Sequence, residues 1–158
     1  MKRRPTIAFA KWRLAVHLAE TQKVQGHAAM PAFQCQCELC QSWQVAHLHV
    51  IPKETLNELR RLGVQVATPN ELYELSSGQR EARAIYHVVG KVLSGPSATL
   101  FDKALAIETA NYELLRTEPW FAVRVTKASE SVAPSPSIDD KNAGDVIVID
   151  CRFTMQQY

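Results

Sequence analysis

Apolar residues recur with a period of two in several separate stretches of this chain, and that period narrows the possible folds more than any other feature. Trp12, Leu14, Val16 and Leu18 alternate with Lys11, Arg13 and His17, the pattern of a strand with one buried face. A helix here would set Arg13 and His17 against the apolar stripe. Phe121, Val123 and Val125 alternate with Arg124 and Thr126, and Ile147, Ile149, Cys151 and Phe153 fall on one side of the segment Asp145–Met155. Ile85–Leu93 is rich in β-branched and aromatic residues and reads as another strand, with Gly90 marking a bulge or a close approach. Leu72–Leu75 adds a short fifth candidate.

Helical signals are fewer. Pro52 suits a first helical turn, Leu56, Leu59 and Leu62 follow at helical spacing, and Gly63 comes after Arg60 and Arg61 as a stop. These features predict a helix over 52–62. Leu100, Ala104 and Ile107 predict a second over Ala98–Ala110. Thr21–Pro31 reads as a loop or hairpin turn around Gly26, Ser76–Arg83 as a hairpin connection around Gly78, and residues 128–144 as a long mobile Ser/Pro-rich loop. Val45–Ile51 is a short apolar stretch that carries His47 and His49. Strands without a regular strand–helix alternation favour an α+β fold, mostly antiparallel, with one or two helices and a Cys-rich loop. At 158 residues, of which 46% are apolar, residues 1–158 form one domain with an ordinary core.

Composition narrows the setting. The start Met1-Lys2-Arg3-Arg4 is basic, but Lys11 and Arg13 interrupt the apolar run a signal peptide needs. No stretch approaches the ~18 apolar residues of a membrane-spanning helix. A cytoplasmic location is therefore expected, where thiols stay reduced. There, clustered cysteines point to metal ligation or free thiols more than to disulfides. Eighteen Lys and Arg against 16 Asp and Glu do not argue for a polyanionic partner.

One cluster stands out: Cys35-Gln36-Cys37-Glu38-Leu39-Cys40. Residues two apart in an extended segment point the same way, and Cys37-x-x-Cys40 is the turn spacing that folds a second sulfur back toward the first. Zinc takes four donors in a structural site and three plus water in an open one. The candidate ligands are Cys35, Cys37, Cys40 and His49, with His47, His27 or Cys151 as other choices for the fourth. The rival reading is three inert, partly buried thiols. A dithiol redox pair is a further alternative, but such a pair opens a helix, and no strand–motif–helix frame is visible in the sequence.

No catalytic signature accompanies the cysteines. A deaminase-type zinc site needs His-x-Glu upstream of its cysteines, and none is present. His-Glu-x-x-His and Gly-x-Ser-x-Gly are also missing, and Gly90–Gly95 lacks the pattern of a phosphate loop. His87 sits in an apolar strand and reads as a satisfied core histidine rather than a base. Asp139 and Asp140 read as solvated loop residues, and Trp12, Trp43 and Trp120 as packing residues.

The order Cys35-x-Cys37-x-x-Cys40, Leu62-Gly63-Val64, Pro69-x-Glu71-x-Tyr73-Glu74 and Tyr86-His87-x-x-Gly90 resembles small uncharacterised bacterial proteins of a domain-of-unknown-function type, over about residues 33–95. The resemblance implies a single α+β domain of the kind discussed near toxin-immunity and interaction proteins, and it carries no catalytic residues. The expected function is thus a non-enzymatic protein-binding or accessory protein with a structural zinc knuckle and a protein partner. The alternatives are a thiol- or zinc-dependent enzyme, with His47, His49 or His87 carrying protons, and a nucleic-acid-binding module. The last calls for a clustered basic face, whereas Lys and Arg are spread evenly here.

Overall fold

The computed structural model of the protein describes residues 4–25, 35–75, 81–130, 136–138, 140 and 142–155. The fold is α+β, with nine strands and three α-helices among the described residues. Strands β1 (Thr6–Phe9) and β2 (Trp12–Val16) form a hairpin and lead into helix α1 (Leu18–Gln25). Helices α2 (Glu38–Val50) and α3 (Lys53–Arg61) follow. The remaining strands are β3 (Glu71–Glu74), β4 (Glu81–Ser94), β5 (Thr99–Asp102), β6 (Ile107–Ala110), β7 (Glu113–Arg116), β8 (Phe121–Lys127) and β9 (Asp145–Thr154). A 3₁₀ turn covers Ala128–Glu130.

Seven strands make one antiparallel sheet in the order β1-β2-β4-β9-β8-β7, with β3 also on β4. The expected strands at 72–75, 85–93, 121–126 and 145–155 are present, as is the helix at 52–62, while the strand expected over 12–18 ends at Val16, Leu18 opens α1, and β4 begins at Glu81, inside the connection expected over Ser76–Arg83. One sheet face carries Ala82, Ala84, Tyr86 and Val88 of β4 and Ile147, Ile149, Cys151 and Phe153 of β9 into the main core with Trp43, Leu59 and Leu62. Trp43 stacks on Phe153 with ring centroids 4.8 Å apart and donates its indole N–H to Val66 O. Tyr86, wholly buried, donates its hydroxyl to the same carbonyl at 2.7 Å. Both polar tips are therefore satisfied inside an apolar layer.

Strand β4 pairs with β9 along one edge and with two different strands along the other: β3 over Ala82–Ile85 and β2 over Gly90–Ser94. Between these partners the edge lacks a strand, and three side chains and one backbone N–H complete it. Thr21 Oγ1 accepts from Val89 N at 3.0 Å, His17 N donates to Val89 O at 2.8 Å, Gln25 Nε2 donates to His87 O at 2.8 Å, and Asn70 Oδ1 accepts from His87 N at 2.9 Å. This accounts for a helix at 18–25, where the sequence reading placed the start of a loop over Thr21–Pro31. Thr21 and Gln25 are buried for their hydrogen bonds, so no apolar stripe announces the helix. Gly90 permits the close crossing of β2 and β4, since a Cβ there would lie 1.9 Å from the Ala15 carbonyl oxygen.

One further expectation changes. Ala98–Ala110 is not a helix but the separate β5–β6 hairpin. Asp102 Oδ1 accepts from the N–H groups of Ala104 and Leu105 and so fixes a turn where the helical spacing would have continued. Leu100, Phe101, Leu105 and Ile107 are all exposed, so that spacing marks no buried face. Within the segment 128–144, expected as a mobile loop, Ala143 is buried against Val24 and Val89, with Ile138 packed beside them. Asp140 is exposed as expected. Asp139 lies outside the described residues.

Candidate metal centre

The site starts where α2 starts. Cys37 has extended backbone (φ −65°, ψ 162°) and caps the helix, its sulfur accepting from the Cys40 N–H at 3.4 Å. Cys35 Sγ accepts from the Cys37 N–H at 3.5 Å. The chain thus wraps its sulfurs around the first helical turn, where backbone N–H groups have no partners within the helix. Leu39 and Cys40 turn toward the protein and Cys35, Cys37 and Glu38 toward solvent. Three residues further on, Trp43 is wholly buried, so the turn that carries the sulfurs continues directly into the core.

The three sulfurs lie within 4.8 Å of one another, a group that can hold a metal ion. All four cysteines, Cys151 included, are free thiols. Cys37 is held below the ordinary thiol pKa, first by its hydrogen bond with the Cys35 side chain and then by the Cys40 backbone N–H. Burial pushes Cys40 up to about 12, and its thiol contacts with Cys35 and Cys37 act in the same direction. Such a set can hold a soft or borderline cation, which would replace the protons and neutralise the converging sulfurs.

The other candidate ligands lie elsewhere. His49 stands in the last turn of α2, about 13 Å along the axis from Cys40 at the helical rise per residue. His47 is buried one turn beyond Trp43, with Nδ1 2.7 Å from Trp43 O. Their stretch is part of helix α2. Cys151 is buried in β9 between Ala84 of β4 and Val123 of β8, and burial holds its thiol well above the ordinary range. It has the role of a small core hydrophobe. His27 lies outside the described residues. Among the described residues, the sulfur group contains Cys35, Cys37 and Cys40 and no histidine.

The helix-opening frame that the sequence reading missed is present, since Cys37 caps α2 and Cys40 lies in its first turn. The missing signal was the helix itself: Val45, Leu48 and His49 are exposed and blur its apolar stripe.

A second polar cluster sits on the opposite sheet face, around Asp150. Arg83 pairs with this buried carboxylate through Nε and Nη2 at 2.7 and 2.6 Å, and Tyr112 donates to it at 2.8 Å. Arg124 approaches at 3.6 Å, and both Arg124 and Arg152 stack on the Tyr112 ring. The buried charge is thereby paired and hydrogen-bonded, as structural stability requires. His87 is buried with neither ring nitrogen hydrogen-bonded among the described residues, and desolvation lowers its pKa to about 4. Its burial is that of the expected core histidine, but the hydrogen-bond partners expected of a satisfied one are missing among the described residues.

No helix among the described residues is long and apolar enough to cross a membrane. Comparison with family models, curated proteins and solved structures yields no match to this chain.

Proposed function

We propose that this chain is a protein-binding accessory protein in which Cys35, Cys37 and Cys40 hold a structural zinc ion. One observation carries the reading: three sulfurs gathered within 4.8 Å around the start of a helix that packs into the core. Zinc suits thiolate donors and a four-coordinate shell. Its role is to fix residues 35–37 onto α2, much as a knuckle does. The fourth position falls to water, to a histidine such as His27 or to an external donor. A cytoplasmic setting, where thiols stay reduced, accords with this site.

The binding role is supported by the β5–β6 hairpin, which exposes Leu100, Phe101, Leu105 and Ile107. Exposed apolar groups of this kind mark interaction surfaces. The partial resemblance to toxin-immunity-like bacterial proteins points the same way.

Elemental analysis of the purified chain tests the metal. The expected result is one zinc per chain, lost in Cys37→Ser and kept in His49→Ala, with His27→Ala showing whether that residue supplies the fourth donor. Zinc-free protein from a zinc-supplemented preparation, or zinc fully kept in Cys37→Ser, overturns the assignment.

A further inference from the structure

The same three sulfurs differ in a way that metal ligation does not use. Cys37 is exposed, whereas Cys40 is only 6% exposed and sits one helical turn behind it. Their sulfurs lie within 4.8 Å, and side chains three apart across a helical turn are neighbours, within reach of disulfide geometry after a side-chain rotation. Cys37, like Cys35, therefore meets solutes, while Cys40 waits within reach behind it. Such an arrangement separates an attacking sulfur from a resolving one.

We propose that, when no metal holds them, Cys37 and Cys40 exchange with disulfides. The inference concerns the same site as the metal reading but does not require the ion. Cys37, having lost its proton to solvent, attacks one sulfur of a disulfide R–S–S–R. That S–S bond breaks, one R–S⁻ leaves and takes a proton from solvent, and a Cys37–S–S–R mixed disulfide forms. Cys40 then gives its proton to solvent and attacks the Cys37 sulfur, releasing the second R–SH and forming a Cys37–Cys40 bond. Two protein thiols are oxidised and one disulfide is reduced to two thiols. The substrate class is an accessible disulfide, whether on a small molecule or on a protein. Oxidation of this pair removes two of the three metal donors, so the oxidised chain no longer binds the ion.

The test uses the full chain, reduced, stripped of metal by a chelator and freed of reductant, with glutathione disulfide as the probe. Peptide mapping is expected to find Cys37 joined to Cys40 and Cys151 untouched. Cys40→Ser is expected to stop at glutathione on Cys37, and Cys37→Ser to react at least about tenfold more slowly. Glutathione accumulating on Cys35 instead, or a reaction no faster than that of the urea-unfolded chain, overturns the proposal. Should Cys40→Ser fail to fold, the map of the wild-type protein decides alone. Zinc content of untreated protein is measured in parallel. Zinc present with exchange failing removes this inference only, and exchange present without zinc removes the metal reading only.

Discussion

Replacing His87 with leucine should remove a specific acid sensitivity from this fold. His87 is 3% exposed, and neither ring nitrogen finds a hydrogen-bond partner among the described residues. Its pKa falls to about 4 from 6.5, with burial as the cause and no charged neighbour contributing. The unfolded chain therefore takes up this proton before the folded one does. Between pH 6.5 and 4 the unfolded state binds more protons, so stability falls as the pH drops through that window and is fully present above it. The whole effect is about 3 kcal/mol, of which roughly 2 kcal/mol is already lost at about pH 5. Leucine keeps an apolar side chain of similar size and removes both orphan nitrogens, which are themselves costly when buried. Urea unfolding of wild type and His87→Leu at neutral pH and near pH 5 measures the difference. Other titrating groups contribute equally to both proteins and cancel. The gap in stability between the variants should widen by about 2 kcal/mol on acidification. Parallel pH profiles would refute the buried, unpartnered imidazole as the cause.

Four other outcomes follow from the structure. Asp150→Asn leaves the Arg83 guanidinium without its carboxylate beneath a largely buried surface, and chemical denaturation should show a loss of about 3 kcal/mol. Gly90→Ala drives a methyl group into the Ala15 carbonyl, so the variant should lose about 3 kcal/mol or more and be recovered mostly as insoluble protein. Phe101→Glu removes an exposed apolar ring from the β5–β6 hairpin; melting should shift by less than about 0.5 kcal/mol equivalent, while any co-purifying partner is lost. Chelation of zinc-loaded protein should lower the melting temperature of wild type and leave that of Cys37→Ser unchanged, as expected of a ligand that binds only the folded chain.

Long strands were legible in the sequence because their side chains divide cleanly between two faces. Phe121, Val123 and Val125 enter the core while Arg124 turns to Asp150 on the other side. The helix at 53–61 was legible because Pro52 and Gly63 bracket a strong apolar stripe. Helix α1 was not, since Thr21 and Gln25 are buried for hydrogen bonds to β4 and carry no hydrophobic signature. Strands β1 and β7 span four residues each, and neither shows a clear alternation. The hairpin at 99–110 misled because Leu100, Ala104 and Ile107 mimic a helical face that nothing covers. Within the site, spacing alone revealed the three convergent sulfurs. Their unequal exposure was hidden, because it depends on α2 beginning at Glu38, and that helix was itself obscured by exposed Val45 and Leu48.

The way α1 completes the edge of β4 has a consequence for how this protein fails. Detaching that one helix would uncover a notch in the middle of the sheet, bounded by strands on both sides and bearing an unsatisfied acceptor at His87 O and an unsatisfied donor at Val89 N. An extended segment from any neighbouring molecule can fill such a notch by adding itself as a strand. Weakening α1, for instance by Thr21→Val, is therefore expected to seed self-association before it produces overt loss of the fold, and light scattering should rise ahead of any change in the circular dichroism of the sheet.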